Sequence, residues 1–390
     1  MPEMRLSDIS AIIQEIGSRN VAKVLDAFHN VRLTEADLIG STGYGYDDMG
    51  RDKLEEVYAY VFGGEDAIVR PQITSATHAI YLALRGVVSK DSHVLFWGTP
   101  YDTVKPILTG DNPHSLKSNV ASVKIRKEPT DDDIKHANVI MMQRSGGYAF
   151  FSGHNIDTLA ERIKRIRLLN EQAIIVVDNC YGEFVEDREP LHVGADIIVG
   201  SLIKNPGGTL APTGGYIVGR KHLVRNIADF AFSPALGKEV GPTGEFLWRA
   251  YQGLFFAPSF VAEALWSKSY ILGLFKEHGI EVLEEMYPYS DIIVRIRLGS
   301  DKLMQRFVEI IQGSGPVNAH FAPVPERLPG YDHDIIMAAP SFVSGASLEL
   351  SADGRFAEPY EIYMQPGVSR YHTLVYMKKL LEVLHSEESC

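Results

Sequence analysis

Two cysteines in 390 residues, Cys180 and Cys390, are too few to staple a chain of this length or to build a cysteine-based metal cluster. A reducing compartment is therefore the default. The thirteen histidines form no HExxH or comparable ligand pattern, so no metal site is expected. No stretch reaches the roughly 18 uninterrupted apolar residues that cross a bilayer. The N-terminal MPEMRLSDISAIIQEIG is amphipathic and lacks the apolar core of a secretory leader. Basic residues are in the minority, 38 against 50 acidic ones, and the formal charge of −12 argues against a nucleic-acid or anionic-membrane partner. There is no GxxxxGK, and the glycines of STGYGYDD lack the strand–turn–helix setting of a dinucleotide loop. What is present is ordinary globular composition, 45% apolar and 23% charged, ample for a large core. The expectation is a soluble, cytoplasmic protein.

Three stretches are expected. Residues 1–51 hold an N-terminal helix, with Ser7 or Asp8 as its cap, and then a polar arm in which Gly40, Gly43 and Gly45 disfavour any regular element. Residues 52–280 alternate helical periods with short, non-alternating apolar runs: Ala67 to Pro71, His93 to Trp97, Val139 to Gln143, Ala173 to Asp178, Ala195 to Ser201 and Gly215 to Val218. Runs of that kind predict α/β architecture with a sheet buried on both faces. A long apolar stretch from Glu245 to His278 should carry the chain into a smaller α+β domain, 281–390.

Chemistry concentrates at three of these strand ends. In ADIIVGSLIKNPGG, Lys204 follows an apolar strand and precedes two glycines. Partial desolvation would ease the loss of its proton, after which it can form a Schiff base with an aldehyde. A lysine beside glycine is also a common surface turn. Ser201, three residues earlier, is a candidate phosphate donor. In AIIVVDNC, Asp178 stands after five apolar residues, at the end of a strand where open α/β sheets bind ligands. A carboxylate there either caps the following turn or needs a cationic partner, such as the protonated ring nitrogen of pyridoxal 5′-phosphate (PLP). In QITSATHA, Ser75, Ala76 and Thr77 sit where a strand turns into a helix, suited to a phosphate or simply to capping. Cys180 is a nucleophile, a redox sensor or a small packed residue. His78 opens the helix and assists packing there.

Taken together, GYGYDDMGRDKLE, VRPQITSATHA, GTPYDT, VDNCYGEF, SLIKNPGGTLAPTGGYIVG and SGASLELSADG resemble the fold-type I PLP enzymes of Cys/Met metabolism. Within them the chain is similar to the cystathionine beta-lyase-like or methionine gamma-lyase-like branch, also called aluminium-resistance proteins, over essentially its whole length. The resemblance implies a large domain with a mostly parallel seven-stranded sheet and a homodimer as minimal unit, in a homotetramer. It implies that Lys204 carries the cofactor and moves the α-proton, that Asp178 holds the ring nitrogen, and that Tyr101 stacks on the ring. Ser75, the N–H of Ala76, Thr77 and Ser201 would hold the phosphate. Tyr46, or Tyr44 in its place, and Arg51 would reach a neighbouring subunit's phosphate from the arm. The alternative for the arm is an intrachain loop with an Arg51–Asp salt bridge.

The chain departs from the family pattern at Ala76, where glycine is usual, and at Arg355-Phe356-Ala357 and Gln365-Pro366-Gly367 in the small domain. A methyl group at 76 is tolerable only outside the left-handed conformation. Arg355 and Arg370 are both candidates for a substrate carboxylate. The function implied is carbon–sulfur lyase chemistry on a sulfur-containing amino acid, by β- or γ-elimination. The same residues would also serve transamination, racemisation, aldol cleavage, or a binding protein with little turnover.

Overall fold

The structure is a computed structural model that describes residues 5–328 and 331–387; Cys390 lies outside the described residues. Seven strands form the larger sheet: β1 (Asp66–Arg70), β2 (His93–Trp97), β3 (Ser122–Arg126), β4 (Val139–Gln143), β5 (Ile174–Asp178), β6 (Ile197–Ser201) and β7 (Gly215–Gly219). Their order is β1-β7-β6-β5-β4-β2-β3. Only β7 runs against its neighbours; every other pair is parallel. β4 and β6 are buried at every position, as strands covered by helices on both faces must be. The helices Leu6–Asn30, Met49–Phe62, Ile156–Leu169 and Phe246–Glu277 contribute to the core on one face. Ala76–Val87 and Lys221–Ala231 pack on the other. Parallel pairing brings the ends of β4, β5 and β6 to one edge, where ligands of such sheets bind.

β8 (Glu281–Val282), β9 (Val294–Arg297), β10 (Ile335–Ala338), β11 (Ser351–Arg355) and β12 (Glu361–Gln365) form a second, fully antiparallel sheet in the order β10-β11-β12-β9-β8. Helices Asp301–Ser314 and Arg370–Glu387 cover it, with Met304, Phe307, Tyr376 and Leu380 in its core. The apolar stretch after Glu245 is a single 32-residue helix, Phe246–Glu277. Its first half packs in the large core, and Ile271, Leu272 and Phe275 enter the small one. Among the described residues, no helix is long and apolar enough to cross a membrane.

The first helix starts earlier than the sequence suggests. Its N-cap is Arg5, which makes no side-chain cap bond, so neither Ser7 nor Asp8 caps it. Asp8 pairs with Arg5 instead, at 3.3 Å.

A buried ion cluster joins the two sheets. Asp291 is fully buried and accepts from Lys268 Nζ on the long helix at 3.1 Å and from Arg295 Nη2 on β9 at 2.6 Å. Arg295 also bonds Glu284, and its Nε donates to Ala149 O in the loop after β4 at 3.1 Å. Ser145 of the same loop donates to Asp291. Two cations and two carboxylates thus balance inside the protein. Against the penalty of burial, the Arg295 guanidinium and the Lys268 ammonium hold the Asp291 carboxyl well below the usual carboxylate range. Asp291→Ala leaves two buried cations to one carboxylate and should lower the unfolding free energy by about 3–5 kcal/mol. Urea denaturation measures this, and a loss below about 1 kcal/mol, the range of surface pairs, would remove the cluster from any central role.

Candidate active site

A cavity of about 580 Å³ opens between the ends of β4–β6 and the second sheet, and Ser75, Ala76, Thr77, Tyr101, Ser201 and Lys204 all line it. Ser201 ends β6, and Lys204 follows in the turn that leads to the short 3-10 helix Asn205–Gly207. That turn lies against the long helix with no room for side chains: a Cβ on Gly253 would stand 2.2 Å from Gly207 O. Asn205 is buried beneath it, donating to Glu183 O at 3.0 Å and accepting from Ser347 Oγ at 2.7 Å. Lys204 Nζ donates to Gly345 O at 2.6 Å and lies 4.6 Å from the centre of the Tyr181 ring. Burial pushes its pKa down, against the pull of Cys180, Glu183 and Asp178. A lysine so placed gives up its proton more readily than one in water.

Asp178 ends β5 and is 1% exposed. Its Oδ1 accepts from the N–H of Cys180 at 3.2 Å, whereas Oδ2 is buried without a partner. Burial pushes this carboxyl up; the Cys180 N–H and the Lys204 ammonium pull the other way. An orphaned buried carboxylate oxygen is costly unless a donor or cation completes it.

At the helix start, Ser75 is the N-cap of Ala76–Val87, its Oγ accepting from His78 N at 3.1 Å. Capping and cavity lining are thus the same position. Ala76 is the first helical residue and avoids the left-handed region, so its methyl group is accommodated. Thr77 Oγ1 donates to Thr103 Oγ1 at 3.2 Å. His78 Nδ1 accepts from Thr74 N at 3.2 Å, which assigns it to shaping the turn. Ser201 Oγ donates to Gly214 O at 3.3 Å. Tyr101 donates to Ser145 O at 3.2 Å, and its ring occupies space that a Cβ on Gly147 would enter at 2.1 Å.

Sequence reasoning missed much of the wall. Tyr148, Tyr181, Tyr331 and Tyr363 also line the cavity, the first two sharing a hydroxyl contact of 2.9 Å. Tyrosines scattered over 215 positions give no local signal of a common wall. Of the two candidate arginines, only Arg355 lines the cavity. It pairs with Asp353 at 2.6 Å, lies 4.9 Å from the Tyr331 ring centre, and its buried Nη2 makes no hydrogen bond but faces Asp102 Oδ2 at 3.8 Å. Arg370 instead grips Glu263 through two nitrogens. Cys180 lines the cavity, but burial pushes its thiol well above the usual range, which favours the packed reading over a reactive one.

Tyr46 and Arg51 do not reach this cavity in their own chain. Arg51 is 1% exposed, with Nη1 donating to Gly45 O at 2.5 Å and Nε to Asp52 at 2.9 Å, so the intrachain ion pair forms. Asp48 accepts from Ser41 and from Thr243, the latter at 2.6 Å, which seats the arm on the chain before the long helix. Tyr44 and Tyr46 remain 78% and 51% exposed, their rings 5.8 Å apart.

The residues present fit PLP. Asp178 Oδ2 lacks the partner that a protonated ring nitrogen supplies, Lys204 is a lysine of lowered pKa, and the cavity is lined by two hydroxyl residues at a helix start and a third at the end of β6. Comparisons agree with that chemistry. An uncharacterised protein of Bacillus subtilis strain 168, YnbB, is 41% identical over 385 residues, 95% of this chain and 91% of its own. A solved structure from Listeria monocytogenes, named as a candidate cystathionine beta-lyase involved in aluminium resistance, is 41% identical with a TM-score of 0.92, covering 97% of this chain and 96% of its own. A carbon-sulfur lyase involved in aluminium resistance from Clostridium novyi NT is 34% identical, TM-score 0.90, covering 97% and 93%. At 14% identity and a TM-score of 0.63, a PLP-dependent protein of Escherichia coli shares the fold alone, that of the fold-type I enzymes. The methionine gamma-lyase family profile matches residues 2–385, and the chain belongs to that family.

Proposed function

We propose that this protein is a PLP-dependent carbon–sulfur lyase that cleaves a sulfur-containing amino acid by β- or γ-elimination, giving a thiol, a keto acid and ammonia. The observation that carries the reading is one cavity lined by Lys204 and by the phosphate-suited corner of Ser75, Thr77 and Ser201, with Asp178 Oδ2 unpartnered at the end of the neighbouring strand β5. The names of the similar lyases support it.

When bound, PLP supplies the electron sink that makes an α-proton of an amino acid removable. Ser75, the N–H of Ala76, Thr77 and Ser201 would hold its phosphate, Asp178 would pair with its ring nitrogen, and Tyr101 would lie against its ring. Arg355, whose buried Nη2 makes no hydrogen bond, takes the substrate carboxylate by a charge-assisted hydrogen bond. Lys204 Nζ takes the α-proton, a role suited to a lysine whose burial eases the loss of its own proton. The tyrosine wall keeps water from the breaking carbon–sulfur bond. The thiol leaves, and the released enamine hydrolyses to keto acid and ammonia.

The protein acts as a dimer at minimum, assembled as a tetramer, with the arm bearing Tyr46 completing a neighbour's site while Arg51 keeps the arm in shape. The exposed tyrosine pair on a backbone clamped in its own chain supports this.

Borohydride reduction of the PLP-loaded protein and peptide mapping should place the label on Lys204; a label on another lysine ends the assignment. Lys204→Ala should lose nearly all elimination, at least about 10³-fold if its proton transfer contributes in the usual range. Asp178→Asn, which removes charge at nearly constant volume, should lower the elimination rate while leaving the fold intact, and a wild-type rate contradicts its role. Mixing Arg51→Ala with Lys204→Ala subunits should restore activity in part, since one site of the heterodimer then has both functions. No recovery after verified subunit exchange would confine the arm to its own chain.

A further inference from the structure

Gln143 is the last residue of β4 and the register partner of Asp178 on the parallel neighbour β5. Register partners in adjacent parallel strands project from the same face of the sheet. Gln143 is 6% exposed, yet its Nε2 and Oε1 both lack hydrogen-bond partners. Asp178 Oδ2, on the next strand, lacks one as well. Three orphaned polar atoms thus share one buried strand-end pair, and a buried polar group left unpaired is destabilising where it stands. The neighbouring Arg144 and Asp178 backbones are fixed to each other, Arg144 N donating to Asp178 O at 2.9 Å, so the two side chains keep their spacing. An unbranched amide has the reach and the donor that a carboxylate one strand away requires.

We propose that Gln143 is a positioning residue for Asp178: its amide donates to Oδ2 and holds the carboxylate in the orientation and ionic form that a protonated pyridine nitrogen needs. The inference rests on the PLP reading of the cavity. Donation to the charged form favours it, and here it opposes the burial that favours the neutral acid. Without the amide, the proton shared between Asp178 and the ring moves toward the carboxylate. Gln143 then governs the strength of the electron sink without touching the substrate.

The test uses protein loaded with PLP labelled with ¹⁵N in the ring, whose nitrogen chemical shift reports protonation. Wild type should show a protonated ring nitrogen at neutral pH. Gln143→Met, close in length and unbranched, should keep its melting temperature within a few degrees while the ring nitrogen shifts toward the unprotonated value. PLP affinity should weaken on the order of tenfold. In an Asp178→Asn background, the same substitution should move the nitrogen shift no further. Gln143→Ala provides a second variant should the thioether disturb packing. Wild-type nitrogen shifts in both variants overturn the inference while leaving the lyase reading intact. Failure of the wild-type chain to take up PLP overturns both.

Discussion

A single buried guanidinium holds the edge of the sheet on which the cavity depends. Arg144 follows β4 and is fully buried. It donates to Glu189 at 2.9 Å, to Asn179 at 3.1 Å and to Glu186 at 2.8 Å. Glu189 also accepts from Asn179 Nδ2 and from Phe184 N, both at 2.9 Å. The segment after Asp178 is thereby tied down at both ends, and it needs to be, because Tyr181 and Phe184 sit at φ of 68° and 63°, where non-glycine residues are strained. Those turns place the Cys180 N–H on Asp178 and the Tyr181 ring beside Lys204. Strain at the site persists because the buried ionic network behind it holds the chain in place.

Below the cavity the charges are arranged to keep the lysine reactive. Glu183 is fully buried and accepts from Tyr216 at 2.8 Å; burial pushes its carboxyl well above the usual range. The carboxyl of Asp178 is also pushed up by burial. Acidic groups surround the lysine, yet their burial limits how far they can fix its proton.

Much of this was legible in the sequence, for identifiable reasons. Non-alternating apolar runs gave away β2 and β4 to the residue, since strands buried on both faces are apolar at nearly every position. β3, SVKIR, escaped because it is an edge strand with only intermediate and exposed positions, and its lysine and arginine break the apolar signal. β11, SADGR, escaped because Asp and Gly read as a turn; Gly354 is instead there to fit against Ile336 on β10. Lys204, Asp178 and Ser201 were visible because each ends an apolar run. Gln143 ends one as well, but an amide carries no charge that demands a partner until its burial is seen. The tyrosine wall was hidden for a different cause: it is assembled from four segments distant in the chain.

The 32-residue helix that crosses from one core to the other has a mechanical meaning. At 1.5 Å per residue it is a rod of about 48 Å, seated at Gly253 against the turn after Lys204 and anchored at Phe275 in the second core. The Lys204 turn and the second sheet are thus mounted on one beam. Pro258, inside the helix, removes one rung of its hydrogen-bond ladder a little past the seat at Gly253. The missing rung thus falls between the seat at Gly253 and the residues that enter the second core.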